Sequence, residues 1–240
     1  MSSPILLSWS GGKDAAWTLH ALRQNRDFDV VGLVTTVTEG YERIAMHGIR
    51  REILHAQAQA AGLPVIEARL PQRADNSTYE NSFAAALTQA REMFPGLAHI
   101  AFGDLFLEDV KAYRDALCAR LGWTPVYPLF GQDTRALACS MIDGGLRAVL
   151  CCVDTSQLDG RFSGEEFDAR FLANLPPGID PCGERGEFHS CVYDGPMFKV
   201  PITLQTGETH AVAPYVWRDL TVVAVDSHSV EPARVVEGRP

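Results

Sequence analysis

Lysine is scarce in this chain. Only Lys13, Lys111 and Lys199 occur among 240 residues, and 21 basic against 30 acidic residues leave a formal charge of −9. That balance argues against a broad phosphate-tracking surface, so a nucleic-acid partner is not expected. No apolar run approaches the roughly eighteen residues that span a bilayer. Met1 to Ser10 also lacks the basic start and apolar stretch of a secretory signal. A cytoplasmic protein with no membrane partner is therefore expected. The six cysteines, Cys118, Cys139, Cys151, Cys152, Cys182 and Cys191, include no pair with the two-residue gap of a zinc ribbon or thioredoxin-like site. Reduced, mostly buried thiols follow.

The composition that remains, 46% apolar, 9% aromatic and 21% charged, is that of a globular chain. At about 150 residues per domain, the length admits one large domain or two modest ones. The first half alternates short β-rich runs with helix-period stretches. Ile5–Ser8, Val30–Val37, Val65–Ala68, His99–Phe102 and Pro125–Pro128 read as strands, separated by helical Asp14–Arg23, Ile49–Ala61, Ser82–Met93 and Leu107–Leu121. This predicts an α/β fold with a Rossmann-like, doubly wound sheet of five parallel strands over residues 1–130. Its ligand crevice lies beyond the carboxyl ends of the strands. From residue 131 the grammar changes. Thr134–Ile142 looks helical, Leu146–Val153 a buried strand, and Phe162–Leu172 amphipathic. Phe198–Leu204 and Leu220–Val225 look like antiparallel strands around a Thr206–Gly207 turn. A smaller α+β domain over 131–230 and a loose tail over 231–240 are expected.

The most informative segment is Ser8-Trp9-Ser10-Gly11-Gly12-Lys13-Asp14, placed where the first strand should end and a helix begin. A helix N-terminus presents unpaired amides and a positive dipole end. Gly11 and Gly12 let the backbone close on phosphate oxygens, Ser8 and Ser10 add donors, and Lys13 adds charge. Asp14 beside such a site either caps the helix or helps place a cation. The string is neither a Walker A loop nor Gly-x-Gly-x-x-Gly. It resembles the Ser-Gly-Gly-x-Asp-Ser pyrophosphate loop of the adenine nucleotide α-hydrolase superfamily, with Ala15 where that pattern ends in serine.

A second segment, Asp180-Pro181-Cys182-Gly183-Glu184-Arg185-Gly186-Glu187-Phe188-His189-Ser190, sets acid/base groups on a glycine-rich backbone. Taken alone it also suits a solvated turn. Together with the first it resembles the Gly-Glu-Gly-Gly-Glu-Phe/Tyr-x-Thr signature of the diphthine-ammonia ligase family and its bacterial relatives. Arg185 stands in place of a glycine and Ser190 in place of threonine. Met46-His47-Gly48-Ile49-Arg50, Gly103-Asp104 and Pro128-Leu129-Phe130 extend the similarity over most of the chain.

The resemblance implies an ATP-dependent ligase that adenylates a carboxylate, releases pyrophosphate and then AMP, and transfers ammonia or an amine. ATP and Mg²⁺ are the implied cofactors. A carboxylate, small or protein-borne, is the implied substrate, and a homodimer stays open. Pyrophosphate would rest on Ser8, Ser10, Gly11, Gly12 and Lys13 with Asp14 beside it, adenosine would lie near Thr35, and His47 and Gly103 would border the nucleotide. Lys13 would offset charge at the reacting phosphate, and Asp104 would position substrate or metal. Glu184, Glu187 and His189 would orient the acceptor or take a proton from ammonium. Asp104 equally suits a helix cap, and His47 local capping or packing. Two other readings stay open: a tRNA-modifying enzyme of the same superfamily, and a module that senses ATP without chemistry. The first has no basic stretch or Cys-x-x-Cys to support it.

Overall fold

The computed structural model describes residues 2–44 and 48–223. The first half builds β1 (Ser3–Ser8), α1 (Lys13–Gln24), β2 (Phe28–Thr38), β3 (Arg43–Ile44), α2 (Arg51–Ala61), β4 (Val65–Leu70), α3 (Asn76–Met93), β5 (His99–Ala101), α4 (Glu108–Leu121) and β6 (Thr124–Val126). Strands β4, β2, β1, β5 and β6 lie side by side in that order, all parallel. This is the doubly wound sheet expected from the alternating pattern. Its winding reverses between β1 and β5, so a crevice opens where these two strands end. One strand was not anticipated: the two-residue β3 pairs antiparallel with Val37 and Thr38 of β2. Helix α3 begins six residues earlier than its apolar periodicity suggests, because the Asp75 carboxylate accepts from Thr78 N at 2.7 Å and caps a polar first turn.

The second half adds α5 and β7, here numbered onward as α5 (Thr134–Asp143), β7 (Arg147–Asp154), α6 (Ala169–Asn174), β8 (Phe188–Asp194), β9 (Leu204–Val212) and β10 (Tyr215–Val222). Its four strands form an antiparallel sheet in the order β8-β7-β10-β9. Three expectations are corrected here. Residues 198–203 are irregular rather than a strand, and the hairpin turns at Ala213–Pro214. Thr206 and Gly207 lie inside β9, where a register shift opposite Arg218–Leu220 uses the glycine for a bulge. Phe162–Leu172 is broken by Gly164 at φ +92, leaving a short 3-10 turn before α6.

Both faces of the first sheet are covered, as parallel strands require. Along β1, Ile5 and Leu7 join the larger core with α1, α2 and the second sheet, whereas Leu6 faces the smaller core built by α3 and α4. The larger core runs without a break from β1 through Leu19 of α1 to Val149, Cys191 and Val192 of the second sheet. Among the described residues, no helix is long and apolar enough to cross a membrane.

An ion cluster ties the sheets together at one edge. Asp219 of β10 receives Arg50 Nε and Nη2 at 2.9 and 2.7 Å and Arg43 Nη2 at 2.9 Å. The hydrogen bonds from Arg50, opposed by burial and aided by Arg43, hold the Asp219 carboxyl well below the usual carboxylate range. A depressed carboxyl stabilises the fold above its unfolded value of 3.8 and loses that contribution as pH falls through the lower folded value. Asp219→Asn is expected to cost about 1–2 kcal/mol at neutral pH and to flatten the acid limb of the stability curve. Urea denaturation of both proteins across the acid range measures this, and parallel curves would contradict it.

Candidate active site

The turn after β1 is held from behind. Gly11 sits at φ +78, and a Cβ there would lie 2.9 Å from both Gln57 Oε1 and Ile49 Cδ1. Glycine is therefore required twice, by conformation and by space. Gln57, on α2, is fully buried. Its Oε1 accepts from Trp9 Nε1 at 3.0 Å, and its Nε2 donates to Gly11 O at 3.0 Å and Val192 O at 2.7 Å. Val192 N in turn donates to Gly11 O at 3.0 Å. On the other side of the turn, Lys13 N donates to Ser190 Oγ at 3.1 Å and Gly12 N to Ser10 Oγ at 3.3 Å. Helix α1 starts at Gly12 with no side-chain cap. Ser190 takes the first amide of the helix, that of Lys13, and Gly12 supplies no cap for the amides that follow it.

Lys13 is only 2% exposed. Its Nζ donates to Asp14 Oδ2 at 2.8 Å and to the Cys182 carbonyl, and stands 5.4 Å from the Phe188 ring and 5.7 Å from that of Phe167. Burial pulls this ammonium down, but Asp14, Cys182 and Glu184 outweigh it and hold the group above its ordinary value. Asp14 is pushed up by burial against the pull of Lys13, and its Oδ1 is buried with no hydrogen-bond partner.

The facing wall is the loop before β8. Two carboxylates fold it from within. Asp180 Oδ2 accepts from Cys182 N at 3.2 Å and Glu184 N at 2.9 Å, while its Oδ1 receives Thr134 Oγ1 from α5. Glu187, 1% exposed, accepts from Asp180 N at 3.0 Å and Arg185 N at 2.9 Å. Glu184 instead reaches across to the loop after β5, where its Oε1 accepts from Leu105 N at 2.7 Å. Burial, opposed by that amide and reinforced by Asp14 and Asp104, pushes the Glu184 carboxyl up to about 7. The third wall is the end of β5. A Cβ on Gly103 would lie 3.0–3.1 Å from the Asp14 and Ala15 backbone, so only glycine lets β5 approach α1 this closely. Asp104 is paired with Arg114 of α4, with Nε to Oδ2 at 2.6 Å, and that guanidinium stacks 4.5 Å over Phe102.

These walls enclose a cavity of about 180 Å³. Of the residues expected from the sequence, Ser8, Ser10, Gly12, Lys13, Asp14, Gly103, Asp104, Glu184 and His189 line it. Gly11 stands behind the turn. Glu187 is absent from the wall, because both its oxygens are spent on the loop's own amides. Thr35 is buried inside β2, its hydroxyl unpartnered among the described residues, and it is absent from the wall of this cavity. His47 lies outside the described residues. Sequence reasoning missed Gln57, Arg114 and the structural use of Ser190. Arg114 and Gln57 sit in helices far along the chain, with no local pattern to mark them.

The helix N-terminus, the serines Ser8, Ser10 and Ser190 and a buried ammonium fit the oxygens of a phosphate chain. The volume is below the roughly 300 Å³ at which whole-ligand pockets begin, so it suits the tail of a nucleotide rather than all of it. Among the described residues no group of three His, Cys, Asp or Glu forms a metal cage. The free Asp14 Oδ1 nevertheless fits a Mg²⁺ that brings its remaining ligands from phosphate and water.

Residues 3–125 match the family model described as diphthamide synthase N-terminal domain, and residues 133–218 match its C-terminal counterpart. The chain is 24% identical over 217 residues to a diphthine–ammonia ligase of Schizosaccharomyces pombe, covering 83% of this chain and 36% of that protein. It is 33% identical over 109 residues to the Danio rerio ligase, 43% of each chain, and 24% identical over 182 residues to that of Rattus norvegicus, 70% of this chain and 66% of that one. The chain thus spans well under half the length of the yeast and fish relatives.

Two outcomes follow from this geometry. Gln57→Leu strands Trp9 Nε1 and the Val192 carbonyl in the core, so chemical denaturation should report a loss of about 2–4 kcal/mol; a change below about 0.5 kcal/mol would refute the bracing role. For Glu184, the folded carboxyl keeps its proton up to about 7 whereas the unfolded one releases it near 4.5, so stability falls as pH rises between these values. Glu184→Gln keeps the acceptor for Leu105 N and removes the penalty. It should be more stable than the parent above neutral pH by on the order of 1 kcal/mol after solvent screening, and equal to it at acid pH. Thermal melts across this window decide it.

Proposed function

From the premise that the chain belongs to the diphthamide synthase family, we propose that it is an ATP-dependent ligase that joins ammonia to a carboxylate through an acyl-adenylate. The observation that carries this reading is the placement of Lys13, at the N-terminus of α1, opposite Glu184 in one cavity. The relatives are named as ligases of diphthine and ammonia, and an amide formed from a carboxylate is the bond this reading assigns. The acceptor of this chain is a carboxylate, free or carried on a protein.

In this reading the two terminal phosphates of ATP occupy the cavity against Ser8, Ser10, Gly12 and Lys13, and the nucleoside extends outward past β2. A carboxylate oxygen attacks the α-phosphorus and the bond to the bridging oxygen of pyrophosphate breaks. Ammonia then attacks the acyl carbon and AMP leaves. Lys13 and the helix amides carry the charge that builds on the departing pyrophosphate. Mg²⁺ at Asp14 Oδ1, when bound, would neutralise phosphate charge in a cavity that also holds Asp104 and Glu184.

Glu184 is suited to the amine step. A carboxyl that titrates near neutrality can take a proton from ammonium and leave the lone pair free for attack. Asp104 is bound to Arg114, so its part is to set that guanidinium at the cavity wall. Glu187 positions Glu184 by fixing the loop between them, without touching the reacting atoms. Lys13→Met keeps the apolar stem among Phe167 and Phe188 and removes the charge. ATP–pyrophosphate exchange should then fall by about 10²–10³ with circular dichroism unchanged, and an unaltered exchange rate would reject the role. AMP, not ADP, is the expected nucleotide product of the parent protein.

A further inference from the structure

The second sheet has two edges, and the chain treats them differently. β8 is covered, since Val192 N donates to Gly11 O and Ser190 Oγ accepts from Lys13 N. β9, at the other edge, has β10 as its one neighbour among the described residues. It is nine residues long, and every residue from Gln205 to Val212 is exposed. Val212 is 66% exposed, and Tyr215, opposite it across the hairpin, 38%. Open edges usually carry lysine or proline, or are kept very short, because unpaired N–H and C=O groups template pairing with another chain. Leu204–Val212 has neither residue and is not short. Its interruption is the bulge at Gly207, and its one carboxylate is Glu208, with His210 two residues on.

That pattern selects one way for the edge to meet a copy of itself. A two-fold axis at right angles to the sheet runs two β9 strands antiparallel and keeps each face continuous. Directly opposed side chains share a face, so the axis must pass through a residue rather than between two. Full overlap of Leu204–Val212 puts the axis at Glu208 and sets two like charges against each other. Moving it to Thr209 sets Glu208 of each copy opposite His210 of the other, and Thr206 opposite Val212. The carboxylate accepts, and an imidazole donates an N–H whether or not it carries a second proton. An axis at Gly207 or His210 loses this pair. We propose that β9 is a self-association edge, by which two copies of this chain join their four-stranded sheets into one, with Thr209 on the axis. His210 and Val212 also line a cleft of about 590 Å³ beside the phosphate chamber. The second copy brings its Glu208 and Thr206 onto the same face, so each cleft gains a rim that a single copy lacks. The pairing stands apart from the ligase reading, and its test involves no turnover.

Sedimentation velocity of the full chain over a range of micromolar concentrations should show a monomer–dimer equilibrium. His210→Glu sets like charges together at both ends of the pairing and should weaken the dimer about ten-fold. Adding Glu208→Lys restores opposite charges and should return the dimer to within about three-fold of the parent. Both positions are exposed, so circular dichroism should not change. In a Cys139→Ser background, which removes the exposed cysteine, Thr209→Cys places two sulfurs across the axis within disulfide reach. Mild oxidation should then cross-link copy to copy. Gln205→Cys lies about 25 Å from its own image and should not cross-link. This pair of variants carries the test should the charge variants fail to fold. A chain that stays monomeric, a dimer untouched by His210→Glu, a double variant no better than the single one, or cross-linking at position 205 rather than 209 would overturn the pairing. AMP formation by a strictly monomeric chain would strike this edge and leave the ligase reading intact.

Discussion

The buried amide of Gln57 is the constraint on which the site depends. A side-chain amide with no water contact must find its partners within the protein or cost the fold several kcal/mol. Gln57 finds three, in two elements from the two halves of the chain: Trp9 and Gly11 in the turn after β1, and Val192 in β8. One residue of α2 therefore sets the distance between the phosphate loop and the second sheet. Because Val192 N also reaches Gly11 O, and Ser190 Oγ accepts from Lys13 N, the loop is shaped as much by β8 as by its own glycines. In the proposed reading the loop is ordered before a phosphate chain arrives, and ordering already present in the free protein is not charged against binding.

Electrostatics explains why the two sheets must meet here. Lys13 could not remain charged at 2% exposure without partners, and two of them, the Cys182 carbonyl and the Glu184 carboxylate field, come from the second half of the chain. In return the cation limits the repulsion among Asp14, Asp104 and Glu184. Arg114 performs the same service for Asp104. What remains unbalanced is carried by Glu184, whose carboxyl is pushed up to about 7 first by burial and then by Asp14 and Asp104 in the same chamber.

The parts of this arrangement that were legible in the sequence are those whose causes are local. A strand that ends in two glycines and a lysine announces an anion turn, and alternating β-rich and helical runs announce the doubly wound sheet. The two glutamates of Glu184-Arg185-Gly186-Glu187 could not be told apart in this way. Both are acids in a glycine-rich run, and only the fold turns one into the cavity and the other onto backbone amides. β8 was hidden for a related reason, since its first residues belong to a motif that reads as a loop. The β9–β10 turn was misplaced because glycine in a strand can mark a bulge as well as a reversal. Gln57 and Arg114 carry no mark at all, because their partners lie 46 to 135 residues away for the first and 10 for the second, across a turn that only packing closes.

Ala15 shows how such long-range partners can replace a missing local one. The phosphate-loop pattern ends in a serine, and alanine removes a hydroxyl from the first turn of α1. Ser190 stands at the same cavity, brought there by β8, and Ser10 stands beside it. Each accepts a hydrogen bond from a loop amide, Lys13 N for one and Gly12 N for the other. A hydroxyl that accepts from an amide keeps its own hydrogen to give. In the proposed reading both can therefore donate to a phosphate in the chamber, and the donor lost at position 15 is replaced from a strand 175 residues further on in the chain. The same contact that fixes the loop thus also helps equip it, and the two halves of the chain are coupled through one hydroxyl.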